Sequence, residues 1–362
     1  MKITIIGGGA IGSVIAARFS QKNDCCLYIS NRNNEISEFD KNFKVNIEDE
    51  NKTIKAKLKL ITSSIKEAIE FADYIFITYP TFLFKKLAEE MMPFLKNKTL
   101  IFMPGATAEF AFKDALKYNC VIAGLQRVHA VARVIVRGKE AREAGKRKLL
   151  KVATLPNSKS SHVAGIVEKL FETRTEALPN YINVTLVNSN SILHTTRLYC
   201  IFKNYKTGKH YKKLPLFYEN WDNKSSKTLI AADAELKRIL EKASANGIDT
   251  SGIIPLLKHY ESHDAKSLTK KINSIVSFRG IETPSTRDDN GFLPDFSSRY
   301  FVADFNYGLD VILQFAKILN IKCKKLSKIS NWYHKITNSS AKFYLNDYNI
   351  ASAKDLLGLY KI

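Results

Sequence analysis

Two regimes of hydrophobic patterning divide the chain. Through residue 179, short apolar runs alternate with amphipathic stretches. Residues 2–6, 25–29, 74–78, 99–103, 121–125 and 149–154 predict strands, and the largely apolar ones among them have the pattern of buried parallel strands. Helical spacing follows at 13–21, 65–70, around Phe82, Leu83, Leu87 and Met91, and at 161–171. The β-branched stretch 43–61 predicts a hairpin or additional strands. Beyond residue 179 the strand-and-helix alternation stops. Long apolar periodicity predicts one helix over 183–202, an amphipathic helix over 231–246 ending at Gly247, and helices at 254–260, 268–277, 307–319, 331–336 and 353–359. Residues 283–291 are turn-rich and predict a linker. The pattern predicts an α/β domain over residues 1–179 and a mostly α-helical domain over 180–362.

The first strand runs into Gly7-Gly8-Gly9-Ala10-Ile11-Gly12, and a helical stretch follows at once. This is G-x-G-x-x-G in a strand, turn and helix context. Gly7 makes the turn, Gly9 lets a pyrophosphate approach the backbone, and Gly12 lets the helix pack closely on the strand. The N–H groups of the first helical turn, including those of Ala10 and Ile11, face the phosphate charge. The first domain is therefore predicted to be a Rossmann-like NAD(P)-binding domain. An acidic residue at the end of the second strand normally accepts from the ribose hydroxyls of NAD, but here the sequence is Ser30-Asn31-Arg32-Asn33. That favours NADPH, with Ser30 leaving room and Arg32 contacting the 2′-phosphate; NADH is the alternative, and Arg32 as a solvent-facing loop residue the bland one. Tyr79-Pro80-Thr81 ends the 74–78 strand where a turn would lie over the nicotinamide, and Pro104-Gly105-Ala106-Thr107 is a second wall. Gln126, Arg127 and His129 follow another strand edge and are candidates for substrate contact, or else a structural arginine and a loop histidine.

Charge and composition change this picture little. The 362 residues carry 45% hydrophobic residues and a formal net charge of +21. The basic residues are dispersed and joined to no nucleic-acid motif, so the field is assigned to anionic small molecules rather than to a specific nucleic acid. No apolar run reaches the about 18 residues a membrane helix needs, and no secretory leader precedes the first strand, so the expected setting is cytoplasmic and away from the membrane. Cys25, Cys26, Cys120, Cys200 and Cys323 lack metal-ligand spacing and are expected to be reduced thiols, with no metal site.

In the second domain, Asn188-Ser189-Asn190-Ser191 and His194 interrupt the apolar helix predicted over 183–202. Such polarity in a helix interior calls for a reason. His194 is the candidate acid–base group, since imidazole gives and takes protons near neutral pH. Residues 217–221, Phe-Tyr-Glu-Asn-Trp, form an aromatic loop that covers the site in this reading.

The glycine turn, the asparagine-rich approach to His194, and Ser298-Arg299-Tyr300 followed by Asp304 together resemble the opine dehydrogenase (octopine/nopaline dehydrogenase-like) family over roughly residues 2–336. Thr195 stands where that family has proline, and the late glycine-proline context is altered. The resemblance implies reductive condensation of an amino acid's amine with a 2-oxo acid, and small molecules as the partners; a homodimer is a possible assembly. His194 would manage protons, Asp304 orient its second ring nitrogen, Arg299 bind a substrate carboxylate bidentately with Arg127 as a second clamp, and Asn190 position water or substrate. The competing structural roles are a helix cap for Asp304, a surface ion pair for Arg299 and a domain-interface hydrogen bond for Asn190. Two other functions compete: reduction of a 2-oxo acid alone, as in ketopantoate reductase-like proteins, which look to a lysine and a glutamate instead, and a non-enzymatic nucleotide-sensing or nucleic-acid-binding protein.

Overall fold

The computed structural model describes residues 1–30, 32–187 and 189–362, with residues 32–34 described along the backbone alone. The chain forms two compact units, residues 1–185 with 360–362, and residues 186–359. Expected at 179, the division falls after 185 because the intervening segment is tied to the first unit. The Tyr181 hydroxyl donates to the Gly105 carbonyl at 2.9 Å, and the Thr107 N–H donates to Thr185 Oγ1 at 3.1 Å.

The first unit is built on an eight-stranded sheet. In chain order its strands are β1 (Lys2–Ile6), β2 (Asp24–Tyr28), β5 (Leu60–Thr62), β6 (Tyr74–Ile77), β7 (Thr99–Phe102), β8 (Val121–Leu125), β11 (Leu150–Leu155) and β12 (Thr175–Ala177). Their spatial order is β12-β11-β8-β7-β6-β1-β2-β5, and every neighbouring pair is parallel except β8 with β11. The strand order reverses between β1 and β6, so a crevice opens beyond their carboxyl ends, where doubly wound sheets bind ligands. Helices α1 (Ala10–Phe19), α2 (Ile65–Phe71), α3 (Phe84–Met91), α4 (Ala108–Phe112) and α5 (Ser160–Phe171) connect the strands, and the short α6 (Ile182–Thr185) closes the unit. Phe19 of α1, Phe76 of β6 and Phe171 of α5 meet edge to face, with centroids 5.0–6.1 Å apart, in the core.

The second sheet is only half expected. The predicted extra strands are β3 (Lys44–Ile47) and β4 (Lys52–Lys55), and they pair with a hairpin that the patterning does not predict, β9 (Val131–Val136) and β10 (Glu140–Ala144), in the order β4-β3-β10-β9. Val131, Val134, Ile135 and Val136 are all exposed, so β9 has no inside–outside alternation to read. The hairpin is fastened to α1 by Arg18, whose Nε and Nη2 donate to the buried Glu143 carboxylate at 2.6 and 2.9 Å.

Glu109 of α4, the helix that follows Pro104-Gly105-Ala106-Thr107, is fully buried. Its Oε1 accepts from Thr185 at 2.5 Å and from the returning Tyr360 at 2.8 Å, whereas Oε2 has no partner among the described residues. Burial pushes its pKa from 4.5 up to about 8. The folded state thus keeps a proton that the unfolded chain has released between those values, so stability is fully present below about 4.5 and lost as pH rises toward about 8. Denaturant unfolding should show the wild type weakening by about 1.4 kcal/mol per pH unit across that window relative to Glu109→Gln, then levelling above it. Parallel curves for the two proteins would contradict this.

The second unit is mainly helical. The single helix expected over 183–202 is two: α6 ends at Thr185, and α7 (Asn190–Phe202) starts anew. The polar run therefore precedes or opens a helix rather than interrupting one, which accounts for its composition. Next come α8 (Asn223–Ser244), α9 (Leu256–His259) and α10 (Ala265–Ser274). Helix α8 starts earlier than expected because Asp222 caps it, accepting from the Ser225 N–H at 2.6 Å. Gly247 stands just beyond its end with φ +83. The turn-rich 283–291 is no linker but most of a hairpin, β13 (Ser285–Asp288) and β14 (Gly291–Pro294), with Gly291 at φ +129. The unit continues with α11 (Arg299–Asp304), a π-turn over Phe305–Leu309, α12 (Asp310–Ile318), α13 (Lys324–Thr337) and α14 (Ala353–Leu359). No helix of the described residues is long and apolar enough to cross a membrane.

Candidate active site

In the first unit the glycine turn lines a cavity of about 610 Å³ at the β1–β6 crevice. Gly7 has φ +114, and a Cβ on Gly12 would lie 1.7 Å from the Gly7 carbonyl oxygen, so this pair lets α1 start tight against β1. A Cβ on Gly9 would meet no protein atom within 4 Å. Its backbone is open to a bound group, as a pyrophosphate requires. Helix α1 begins at Ala10 and Ile11, with no acidic side chain in its first turn to compete with an anion. Ser30, Tyr79 and Pro80 line the cavity as expected, together with Thr78, whose hydroxyl donates to the Ile6 carbonyl at 3.1 Å. The donor set therefore fits a dinucleotide. The Arg32 side chain lies outside the described residues.

Glu35 and Arg137 are among the lining residues that the sequence does not foreshadow. Arg137, at the tip of the β9–β10 hairpin, pairs with Glu35 through Nη2 and with Glu38 through Nε at 2.9 Å, and Arg137 and Glu35 line the same cavity as Ser30. An arginine that reaches a nucleotide cavity from a distant hairpin leaves no motif in the sequence.

In the second unit His194 and Asp304 meet. His194 Nδ1 lies 2.7 Å from Asp304 Oδ2. A carboxylate only accepts, so Nδ1 carries the proton and Nε2 is left as the acceptor. The contact depends on helix packing: a Cβ on Gly308 would sit 2.8 Å from the Ser191 Cβ, so glycine lets the π-turn approach α7 closely. That π-turn directly follows Asp304; such turns are frequent at functional sites. Asp304 is thus a histidine partner and no helix cap.

The imidazole is 5% exposed and enclosed on every side. Nε2 lies 2.6 Å from the Tyr218 hydroxyl, the Tyr300 ring lies along one face at 4.5 Å, and Phe217 meets it edge-on at 5.5 Å. The aromatic loop 217–221 therefore does reach the candidate histidine. Exposed Arg299 places its guanidinium 5.8 Å from the centre of the Tyr300 ring, which relates it to His194 through one aromatic layer. Asn190 is exposed one helical turn before His194. Thr195, the departure from the expected proline, is buried, and its hydroxyl donates to the Ser191 carbonyl at 2.7 Å. Arg127 belongs to the first unit, in the turn after β8, and is half-buried. His129 is not a crevice residue: it is buried against Phe171, with its ring 3.8 Å from Glu143.

Residues 177–337 match the family described as NAD/NADP octopine/nopaline dehydrogenase, alpha-helical domain. Residues 3–137 match ketopantoate reductase PanE/ApbA. The opine dehydrogenase of Haliotis discus hannai is 28% identical over 301 residues, covering 78% of this chain and 73% of that protein. Tauropine dehydrogenase of Arabella iricolor is 25% identical over 305 residues, covering 78% and 76%. A solved octopine dehydrogenase with NADH and L-arginine matches with a TM-score of 0.87 at 19% identity, covering 99% of this chain and 98% of that one; at such identity the likeness speaks for the fold.

Proposed function

Because the chain belongs to the octopine/nopaline dehydrogenase-like family and is an NAD(P)H-dependent oxidoreductase acting on a 2-oxo acid, we propose that it joins an amino acid's amine to that 2-oxo acid by reductive condensation. The observation that carries the proposal is the His194–Asp304 pair at 2.7 Å in the region that matches the opine-type helical domain. Condensation needs a group that removes a proton from the entering ammonium and returns one to the departing hydroxyl. An imidazole with one nitrogen held by a carboxylate and the other an acceptor suits that exchange. Arg299 offers a planar fork for a substrate carboxylate, Arg127 a second one, and Asn190 a polar contact on the same helix face as His194. In the first unit, Gly7, Gly9, Gly12 and the first turn of α1 hold the pyrophosphate, while Tyr79 and Pro80 wall the nicotinamide. Bound NAD(P)H supplies the hydride that reduces the imine carbon.

NADPH is the proposed donor. Ser30 puts no acid at the end of β2, which leaves room for a 2′-phosphate. Glu35 is the residue that works against a 2′-phosphate, and its pairing with Arg137 offsets it. The match of residues 3–137 to ketopantoate reductase favours the second reading, reduction of a 2-oxo acid without an amine.

One screen separates the two: oxidation of NADPH and of NADH with 2-oxo acids, each with and without amino acids, and the product weighed by mass spectrometry. Oxidation should require both substrates, give the reduced condensation product, and show the lower KM with NADPH. A 2-hydroxy acid formed without amine would overturn the condensation reading, and a lower KM for NADH would overturn the cofactor assignment.

A further inference from the structure

In this structure the nitrogen of His194 that must exchange protons does not face open space. Asp304 takes Nδ1, Tyr218 takes Nε2, Tyr300 lies along one face and Phe217 packs edge-on against the ring. A substrate reaches His194 only by displacing Tyr218 or by working through it. The two cases differ in how firmly Tyr218 is held.

It is held firmly. The ring stacks on Phe278 at 4.1 Å and lies parallel to Trp221 at 6.5 Å. The surrounding loop is fastened by Arg197 of α7, which is fully buried three residues after His194. Arg197 Nε donates to the Phe217 carbonyl at 2.9 Å, Nη2 to the Asn220 carbonyl at 2.7 Å, and Nη1 to Ser225 Oγ at 3.0 Å. Its guanidinium also lies 5.2 Å from the centre of the Trp221 ring. Trp221 is tied in turn to Ser226 at 3.0 Å and, through its carbonyl, to Asn273 at 3.2 Å. Arg197 thus pins the backbone on both sides of Tyr218, and moving the hydroxyl away would unstack a buried ring from Phe278 and leave His194 Nε2 without its partner, which is costly. One side chain of α7 thus fixes the loop, and another meets the hydroxyl that the loop presents.

We propose that Tyr218 is a catalytic residue, the terminal member of an Asp304–His194–Tyr218 relay whose phenolic oxygen exchanges protons with the substrate. The inference rests on the assignment of His194 as the acid–base group. A phenol donates once and accepts at its remaining lone pair, so Tyr218 can give its proton to Nε2 while taking another. Burial pushes its pKa well above the ordinary phenol range, so the two transfers occur together and no free phenolate forms. As the amine enters, its ammonium proton passes to the Tyr218 oxygen while the Tyr218 proton passes to His194 Nε2, and Asp304 stabilises the imidazolium. The free amine bonds to the carbonyl carbon, and a nitrogen proton shifts to the carbonyl oxygen, giving the carbinolamine. The relay then reverses: Nε2 returns its proton to Tyr218, and Tyr218 gives its own to the carbinolamine hydroxyl. The C–O bond breaks, its electron pair leaves with water, and the nitrogen lone pair closes the iminium bond.

Tyr218→Phe keeps the stacked ring and removes only the hydroxyl. Its kcat should fall by about 100-fold or more with little change in the KM values, and the solvent deuterium effect of the wild type, curved against deuterium fraction because two protons move together, should become linear or vanish. Wild-type kcat in Tyr218→Phe beside an inactive His194→Ala would overturn the relay and leave the histidine assignment standing; wild-type kcat in both would overturn both. Should Tyr218→Phe fail to fold, 3-fluorotyrosine at position 218 tests the same step: a changed kcat and isotope effect support the relay, and unchanged values reject it.

Discussion

His194→Ala is expected to lower kcat by about 1,000-fold while leaving NAD(P)H affinity nearly unchanged. The imidazole belongs to the unit of residues 186–359 and the glycine turn to the other, so loss of the ring removes proton transfer without touching the residues proposed to hold the cofactor. Steady-state NAD(P)H oxidation and a direct cofactor titration, run side by side, separate the two effects. The substitution also strands a buried hydroxyl on Tyr218 and leaves Asp304 without its partner, which costs on the order of 1–3 kcal/mol for each group left unsatisfied. The melting temperature must therefore be recorded with the kinetics. Asp304→Asn provides the control for that cost. It keeps the side-chain shape, but an amide N–H turned toward Nδ1 favours the opposite tautomer and reverses the direction of the Tyr218 contact. Turnover should fall strongly in that variant with a melting temperature close to the wild type. If both variants turned over normally, His194 would be structural.

The two sites differ in how much of them is legible in the sequence, and the reason is sequence distance. Gly7, Gly9 and Gly12 act on a strand and a helix that directly adjoin them, so their spacing carries the whole physical meaning: one positive φ, one open approach, one close packing contact. His194 and Asp304 stand 110 residues apart and are paired in the sequence only through the family resemblance, since nothing local in either segment calls for the other. Tyr218 has no signal of its own beyond lying in an aromatic loop. Its cue is indirect, an arginine at position 197 beside the apolar stretch that ends helix α7, because a guanidinium buried there has to find carbonyls to satisfy. Glu35 and Arg137 are illegible for a similar reason, coming together only because the β9–β10 hairpin joins β3 in a second sheet. The polar run before His194 is conspicuous in the sequence, yet periodicity alone places it inside one helix. The break between α6 and α7 depends on packing of residues 181–185 into the first unit, which periodicity does not register.

The glycine turn yields the second large effect, and it separates fold from ligand within one motif. Gly12→Ala puts a Cβ 1.7 Å from the backbone oxygen of Gly7, and no side-chain rotation relieves a clash with backbone. Helix α1 must move off β1, which costs about 3 kcal/mol or more and tilts the first-turn N–H groups away from the phosphate position. The variant should melt well below the wild type and bind NAD(P)H at least about 100-fold more weakly. Gly9→Ala is the counterpart. Its φ of −74 suits alanine, and the new methyl meets no protein atom within 4 Å, so the melting temperature should hold or rise slightly. The methyl does occupy the space proposed for the pyrophosphate, so cofactor affinity should fall with no loss of stability. Scanning calorimetry and cofactor titration on the pair give the decisive comparison. Normal cofactor binding by Gly9→Ala would mean that the dinucleotide does not cross the turn at Gly9, and the assignment of the cavity would then fail even if Gly12→Ala behaved as expected.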